Sequence, residues 1–111
     1  MNYINFEVGN EVYKLRLNTR NIVALEKSLG CNPLSIFGAG DTVPTVTVMV
    51  AVLHASLQQY HHGITMNDAY DIFDKFLDDG HSSVEFIPVI IDIYKGSGII
   101  PKNIEDAEKN A

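Results

Sequence analysis

Apolar and polar positions alternate in two runs near the start of the chain. Ile4, Phe6 and Val8 are separated by Asn5 and Glu7, while Tyr13, Leu15 and Leu17 are separated by Lys14 and Arg16. A period of two is that of half-buried β-strands, whose successive side chains point to opposite faces. Between the runs stands Gly9-Asn10. A glycine at the first central position suits a two-residue type II′ turn, which needs a positive φ there. That turn sets Phe6 opposite Tyr13 and Ile4 opposite Leu15, so all four share one face. The pattern predicts a hairpin over residues 3–17.

The period then lengthens. Ile22, Leu25 and Leu29 form an apolar stripe between a cap at Asn18 or Thr19 and a stop at Gly30, which predicts a helix over about 20–29. Asn32-Pro33 has the form of a cap followed by proline at the first helical position, opening a short helical turn over 33–37. Gly38-Ala39-Gly40-Asp41 reads as a loop.

The segment 45–61 is ambiguous by pattern, because Val46, Val48, Val50 and Val52 alternate like a strand. The run continues for about fifteen residues without a breaker, too long for an ordinary strand. Pro44 at its start, with Ala51, Ala55 and Leu57 farther on, favours a helix. Apolar residues on all its sides predict a central, buried position.

Thr65 and Asp68 form a capping pair ahead of Ala69, Ile72, Phe73, Phe76 and Leu77, which predicts an amphipathic helix over 66–79 with Asp71, Asp74, Lys75 and Asp78 facing solvent. Ser82 with Glu85 opens a further helix over 83–95, apolar nearly all round, in which Pro88 stands beyond the first turn and predicts a bend. Gly96-Ser97-Gly98 ends it, and 99–111 reads as a tail. The expected class is α+β, an N-terminal hairpin followed by a mainly helical bundle of about four to five helices, in one domain over 1–98.

Composition narrows this reading. With 111 residues, 46% of them hydrophobic, there is material for one core. Fourteen acidic against eight basic residues leave a formal charge of -6, the wrong sign for tracking a phosphate backbone, so nucleic acid is not an expected partner. The single cysteine, Cys31, has no internal disulfide partner, and no charged-then-apolar leader is evident, so a reducing cytoplasm is the expected setting. The apolar-rich runs 46–53 and 86–94 are far shorter than the roughly 20 residues that span a bilayer, so no membrane segment is expected.

Candidate chemistry is sparse. His54, His61 and His62 could share a helix face, but metal-binding helices place two histidines four apart with an acidic helper, whereas seven residues separate His54 from His61. His61 and His62 are better read as helix-ending residues whose ring donors suit the last carbonyls. Asp78, Asp79, Gly80 and Glu85 do not reproduce a calcium loop, because Lys75 and Leu77 occupy ligand positions and Phe86 stands where the glutamate belongs. Cys31 has no neighbouring base and is expected to be a small core or boundary residue. No catalytic, cofactor-binding or metal-binding residue is assigned, and the chain is expected to act by binding other proteins.

Apolar residues outside the predicted core are the remaining candidates. Ile99, Ile100 and Ile104 stand in an otherwise polar tail and, with Tyr94, are the candidate partner-binding residues. The alternative for Ile99-Ile100 is that they fold back over the core.

A hairpin ending in Tyr13-Lys14-Leu15-Arg16-Leu17, then Ile22 with Leu25-Glu26-Lys27-Ser28-Leu29-Gly30, then Pro33-Leu34-Ser35-Ile36-Phe37, resembles the tail assembly chaperones of long-tailed bacteriophages and prophages of Gram-positive bacteria. Ala51-Val52-Leu53-His54-Ala55-Ser56-Leu57 and Ile64-Thr65-Met66-Asn67-Asp68-Ala69-Tyr70 resemble the central helix and next capped helix of that family. The likeness is one of pattern and order over nearly the whole chain, without a short diagnostic motif. It implies a protein of the host cytoplasm, absent from the mature virion, that coats the tape measure protein, keeps it soluble and helps recruit tail tube subunits. In many such proteins a ribosomal frameshift adds a domain, which here would begin around Glu105 to Ala111. Self-association or arrayed binding along the filament is expected. Two other readings stand beside it: a minor tail or head-tail joining protein that stays in the particle, and a small metal-dependent enzyme built on the histidines.

Overall fold

A computed structural model describes residues 2–37 and 43–101. The predicted loop 38–41 and the tail beyond Pro101, with Ile104, lie outside the described residues. Strand β1 (Ile4–Val8) pairs antiparallel with β2 (Glu11–Leu15), Phe6 facing Tyr13 and Ile4 facing Leu15, as the turn chemistry requires. Gly9 takes φ 60° while Asn10 keeps a negative φ, which is the II′ combination and excludes I′.

Helix α1 (Thr19–Leu29) begins where the Asn18 side chain accepts the N–H of Asn21 at 2.9 Å and ends at Gly30, whose φ of 71° supplies the left-handed stop. Pro33–Phe37 forms a 3-10 turn. The ambiguous valine-rich segment is helical: α2 (Val46–Leu57) starts from a Thr45 cap and buries eight of its twelve residues, Met49 through Leu53 and Ala55 through Leu57. It ends at Leu57, four residues short of the predicted end. The reason is Gln58, whose amide donates to the carbonyls of His54 at 3.0 Å and Ile64 at 2.9 Å and folds the chain back on itself. Gln58 thus does the carbonyl capping expected of His61 and His62.

In α3 (Met66–Asp78) the predicted stripe is buried at Ala69, Ile72, Phe73 and Phe76, and the predicted acidic face is exposed; Leu77 alone departs, remaining 36% exposed. Thr65 accepts the Asp68 N–H at 3.1 Å and Asp68 accepts the Thr65 N–H at 2.9 Å. Replacing Thr65 with alanine orphans one helix-end donor and should lower stability by about 1 kcal/mol in urea unfolding, with an unchanged m-value.

The segment predicted as one bent helix is two elements. Ser83–Phe86 is a 3-10 turn, with Glu85 accepting the Ser82 N–H at 3.2 Å, and α4 runs Ile87–Gly96. Pro88 therefore falls in the first turn of α4, where its missing N–H and fixed φ cost nothing, and it bends no helix.

The core closes around α2. Phe6 and Val8 of β1 and Leu15 of β2 cover one side, while Phe73, Phe76 and Phe86 join Phe6 in an aromatic cluster with centroids 5.3 to 6.1 Å apart. The architecture is α+β and mainly helical, a hairpin followed by four α-helices among the described residues.

Candidate interaction surface

Tyr94, predicted at a partner surface, is a core residue. Its side chain is fully buried, its ring meets Phe37 edge-on at 6.0 Å and its hydroxyl donates to the Pro33 carbonyl at 3.0 Å. Burial pushes the Tyr94 hydroxyl well above the usual phenol range, helped by the nearby Cys31, so it stays a donor. The apolar run around it could not signal this, because a core face and a docking face have the same composition. Ile99 and Ile100 are half-buried against the core, and both of their N–H groups donate to the Tyr94 carbonyl, at 3.0 and 3.4 Å. The fold-back alternative therefore describes how these two sit. Cys31, expected in or beside the core, is exposed.

The three histidines do not converge: among the described residues no group of three or more His, Cys, Asp or Glu is placed to hold a metal ion. His61 has a structural task instead. In this hairpin the N–H groups of Lys14 and Arg16 point away from β1, and they are taken up by the His61 imidazole Nε2 at 3.0 Å and the Ser56 carbonyl at 2.9 Å. An Nε2 that accepts an N–H must be unprotonated. Burial and the Lys14 ammonium both hold the His61 pKa below its ordinary value of 6.5, consistent with that role.

The sign of the linkage follows. The unfolded chain takes up the proton first as pH falls, so the stabilisation is complete above about pH 6.5 and declines below it until His61 protonates in the fold as well. Urea midpoints should fall between pH 7 and pH 5, and a His61→Gln variant should flatten that part of the profile.

Around His61 the surface is aromatic. Tyr13 meets the imidazole edge-on at 5.3 Å, Tyr3 meets Tyr60 at 5.3 Å, and the Lys14 ammonium lies 5.0 Å from the Tyr3 centroid and 5.7 Å from that of Tyr60. Beside Tyr13, a cavity of about 270 Å³ opens between the hairpin and α3, floored by Tyr13, Ile64 and Ile72 and rimmed by Asp68, Asp71 and Lys75. The Asp68 carboxyl is held below its ordinary range by the Thr65 N–H and hydroxyl, which keeps this rim group charged at neutral pH. An apolar floor inside a charged rim suits the side chain of a protein partner. Sequence spacing gave no sign of it, because its two halves lie about fifty residues apart and meet only through the Gln58 turn.

Against this geometry the comparisons add one relationship. A profile for a family of unknown function, DUF6096, matches residues 4–111. The chain belongs to that family. No curated protein and no solved structure matches it. The DUF6096 match spans both strands and the four α-helices among the described residues, so the cavity lies within the family's own span, as does the aromatic patch apart from Tyr3. No helix among the described residues of this DUF6096 member is long and apolar enough to cross a membrane.

Proposed function

We propose that the chain is a tail assembly chaperone of a long-tailed bacteriophage or prophage, which binds the tape measure protein, keeps it soluble and helps recruit tail tube subunits. In this reading it works in the bacterial cytoplasm by binding, without making or breaking bonds, and is left out of the finished virion. The observation that carries the reading is the combination of an acidic chain with apolar groups left open to a partner. The half-buried Tyr13 and Ile64, which line the cavity, are one such group. Val12, Val43, Val46 and Val84, each between 49% and 59% exposed, are others.

A long helical client exposes apolar seams until a tube encloses it. Side chains from such a seam fit an apolar-floored cavity, while the surplus of acidic groups, a formal charge of -6, keeps the complex dispersed. Many weak contacts along one filament add up through multivalency, so no single interface has to be large. The resemblance in element order supports the same assignment, since hairpin, capped helix, short turn, buried central helix and second capped helix follow one another here as in the chaperones.

Mass spectrometry of purified particles from a host that encodes the chain tests this against the structural-component reading. The chaperone reading predicts its absence from mature particles and its presence in lysates during assembly. Stoichiometric recovery in the particles would overturn the chaperone reading and favour a minor tail or head-tail joining protein.

A further inference from the structure

The two edges of the hairpin are finished differently. A two-residue turn makes Val8–Glu11, Phe6–Tyr13 and Ile4–Leu15 the hydrogen-bonded pairs, so the N–H and C=O groups of Asn5 and Glu7 on β1 point outward, as do those of Val12 and Lys14 on β2. On β2, the His61 ring occupies the Lys14 N–H and the Ser56 carbonyl occupies the Arg16 N–H just beyond the strand. On β1, only the turn end is held, where Gly9 donates to Asp79 Oδ2 at 2.7 Å. Among the described residues nothing meets the outward N–H groups of Asn5 and Glu7. Buried backbone donors are almost always paired, so two unpaired ones on residues with exposed side chains mark a strand edge open to solvent.

We propose that this edge pairs with the same edge of a second copy of the chain, antiparallel about Phe6, giving a four-stranded sheet across a two-fold axis. The inference deepens the self-association expected of such a chaperone and rests on the proposed function to that extent. The register is selected by elimination. Centring on Glu7 would place Glu7 against its own copy and would need the Gly9 N–H, which Asp79 already holds. Centring on Asn5 would pair Glu7 with Tyr3, which lies outside β1. Centring on Phe6 uses β1 alone: Asn5 and Glu7 of one copy exchange two hydrogen bonds with Glu7 and Asn5 of the other, and the two-fold axis makes four. On the solvent face, the Asn5 amide then stands across from the Glu7 carboxylate and can donate to it, with no like charges opposed. An interface of one strand pair is small, so the dimer is a weak, concentration-dependent one.

Sedimentation of the full 111-residue chain over a range of concentrations tests this, with three variants. Glu7→Pro removes an outward N–H without touching a hairpin bond, so it should be monomeric with an unchanged circular dichroism spectrum. Asn5→Glu and Asn5→Lys keep the test decisive if the proline variant unfolds. Asn5 faces Lys14 within the hairpin and Glu7 across the axis, so the two properties move in opposite directions. Asn5→Glu should raise the midpoint of unfolding yet weaken the dimer by roughly 2- to 30-fold, and Asn5→Lys should do the reverse. A chain that is monomeric at every concentration overturns the inference, as does a dimer indifferent to a folded Glu7→Pro variant or one that follows hairpin stability in the Asn5 pair. Client solubility measured on the same variants separates the two claims. A soluble client beside a monomeric chain defeats only the dimer, and an insoluble client beside an intact dimer defeats only the chaperone.

Discussion

Replacing Phe86 with alanine should lower the unfolding free energy by about 3–5 kcal/mol, the range for truncating a buried aromatic residue. Phe86 has no exposed surface, and its ring stands 5.3 Å from Phe73, 5.6 Å from Phe6 and 5.9 Å from Phe76 by centroid. These partners come from β1 and α3, while Phe86 comes from the 3-10 turn before α4. One deletion therefore loosens three elements that meet nowhere else through so many rings. Small domains possess only about 5–15 kcal/mol in all, so this one truncation should remove a large share of the stability. Urea unfolding followed by circular dichroism measures the loss. A change below about 1 kcal/mol would mean that the cluster is not the centre of this core.

Tyr94 is the second sensitive position, and its effect separates a core role from the docking role that its sequence context suggested. Tyr94→Ala should cost about 3–5 kcal/mol for the emptied ring volume, before any effect on a partner is counted. Tyr94→Phe keeps the ring and removes only the donor to Pro33, a lost hydrogen bond that should cost about 0.5–1.5 kcal/mol because the Pro33 carbonyl keeps its partner within the 3-10 turn. That hydrogen bond ties α4 to the 3-10 turn across 61 residues of sequence. Both variants should be scored by urea midpoint. A docking residue would leave that midpoint unchanged and weaken only client binding.

The hairpin was legible because two independent signals agreed, a glycine that tolerates positive φ and an alternation whose register that turn completes. The capped helices α1 and α3 were legible for the same reason: Asn18 with Gly30, and Thr65 with Asp68, mark ends that the apolar stripes then fill. The valines of α2 misled the period because a helix buried on every side has no polar face to set its phase. Its caps and its length identified it instead. Pro88 predicts a bend only within one continuous helix; the short 3-10 turn ahead of it makes this proline a helix opener instead.

The candidate surface was much less legible. His61 meets Lys14 across 47 residues, and the cavity floor joins Tyr13 to Ile64 and Ile72. No local pattern records which imidazole will accept a strand N–H, since that depends on where the Gln58 turn delivers it. Tyr94 shows the converse, an apolar residue read as a docking candidate that the fold buries. For Ile99 and Ile100 the sequence leaves docking and fold-back open, and the hydrogen bonds to the Tyr94 carbonyl turn the chain back toward its own core.

The central claim is that the open apolar groups of this acidic domain take up a helical protein client. Its most direct test is the soluble fraction of the long, coiled-coil product expected from the neighbouring gene, co-produced with this chain or without it. The account predicts a client that stays in the supernatant and sediments together with the chain, and that returns to the pellet when the half-buried Ile64 at the floor of the cavity is replaced by aspartate in a variant still folded by circular dichroism. A client equally insoluble with and without the chain would contradict it.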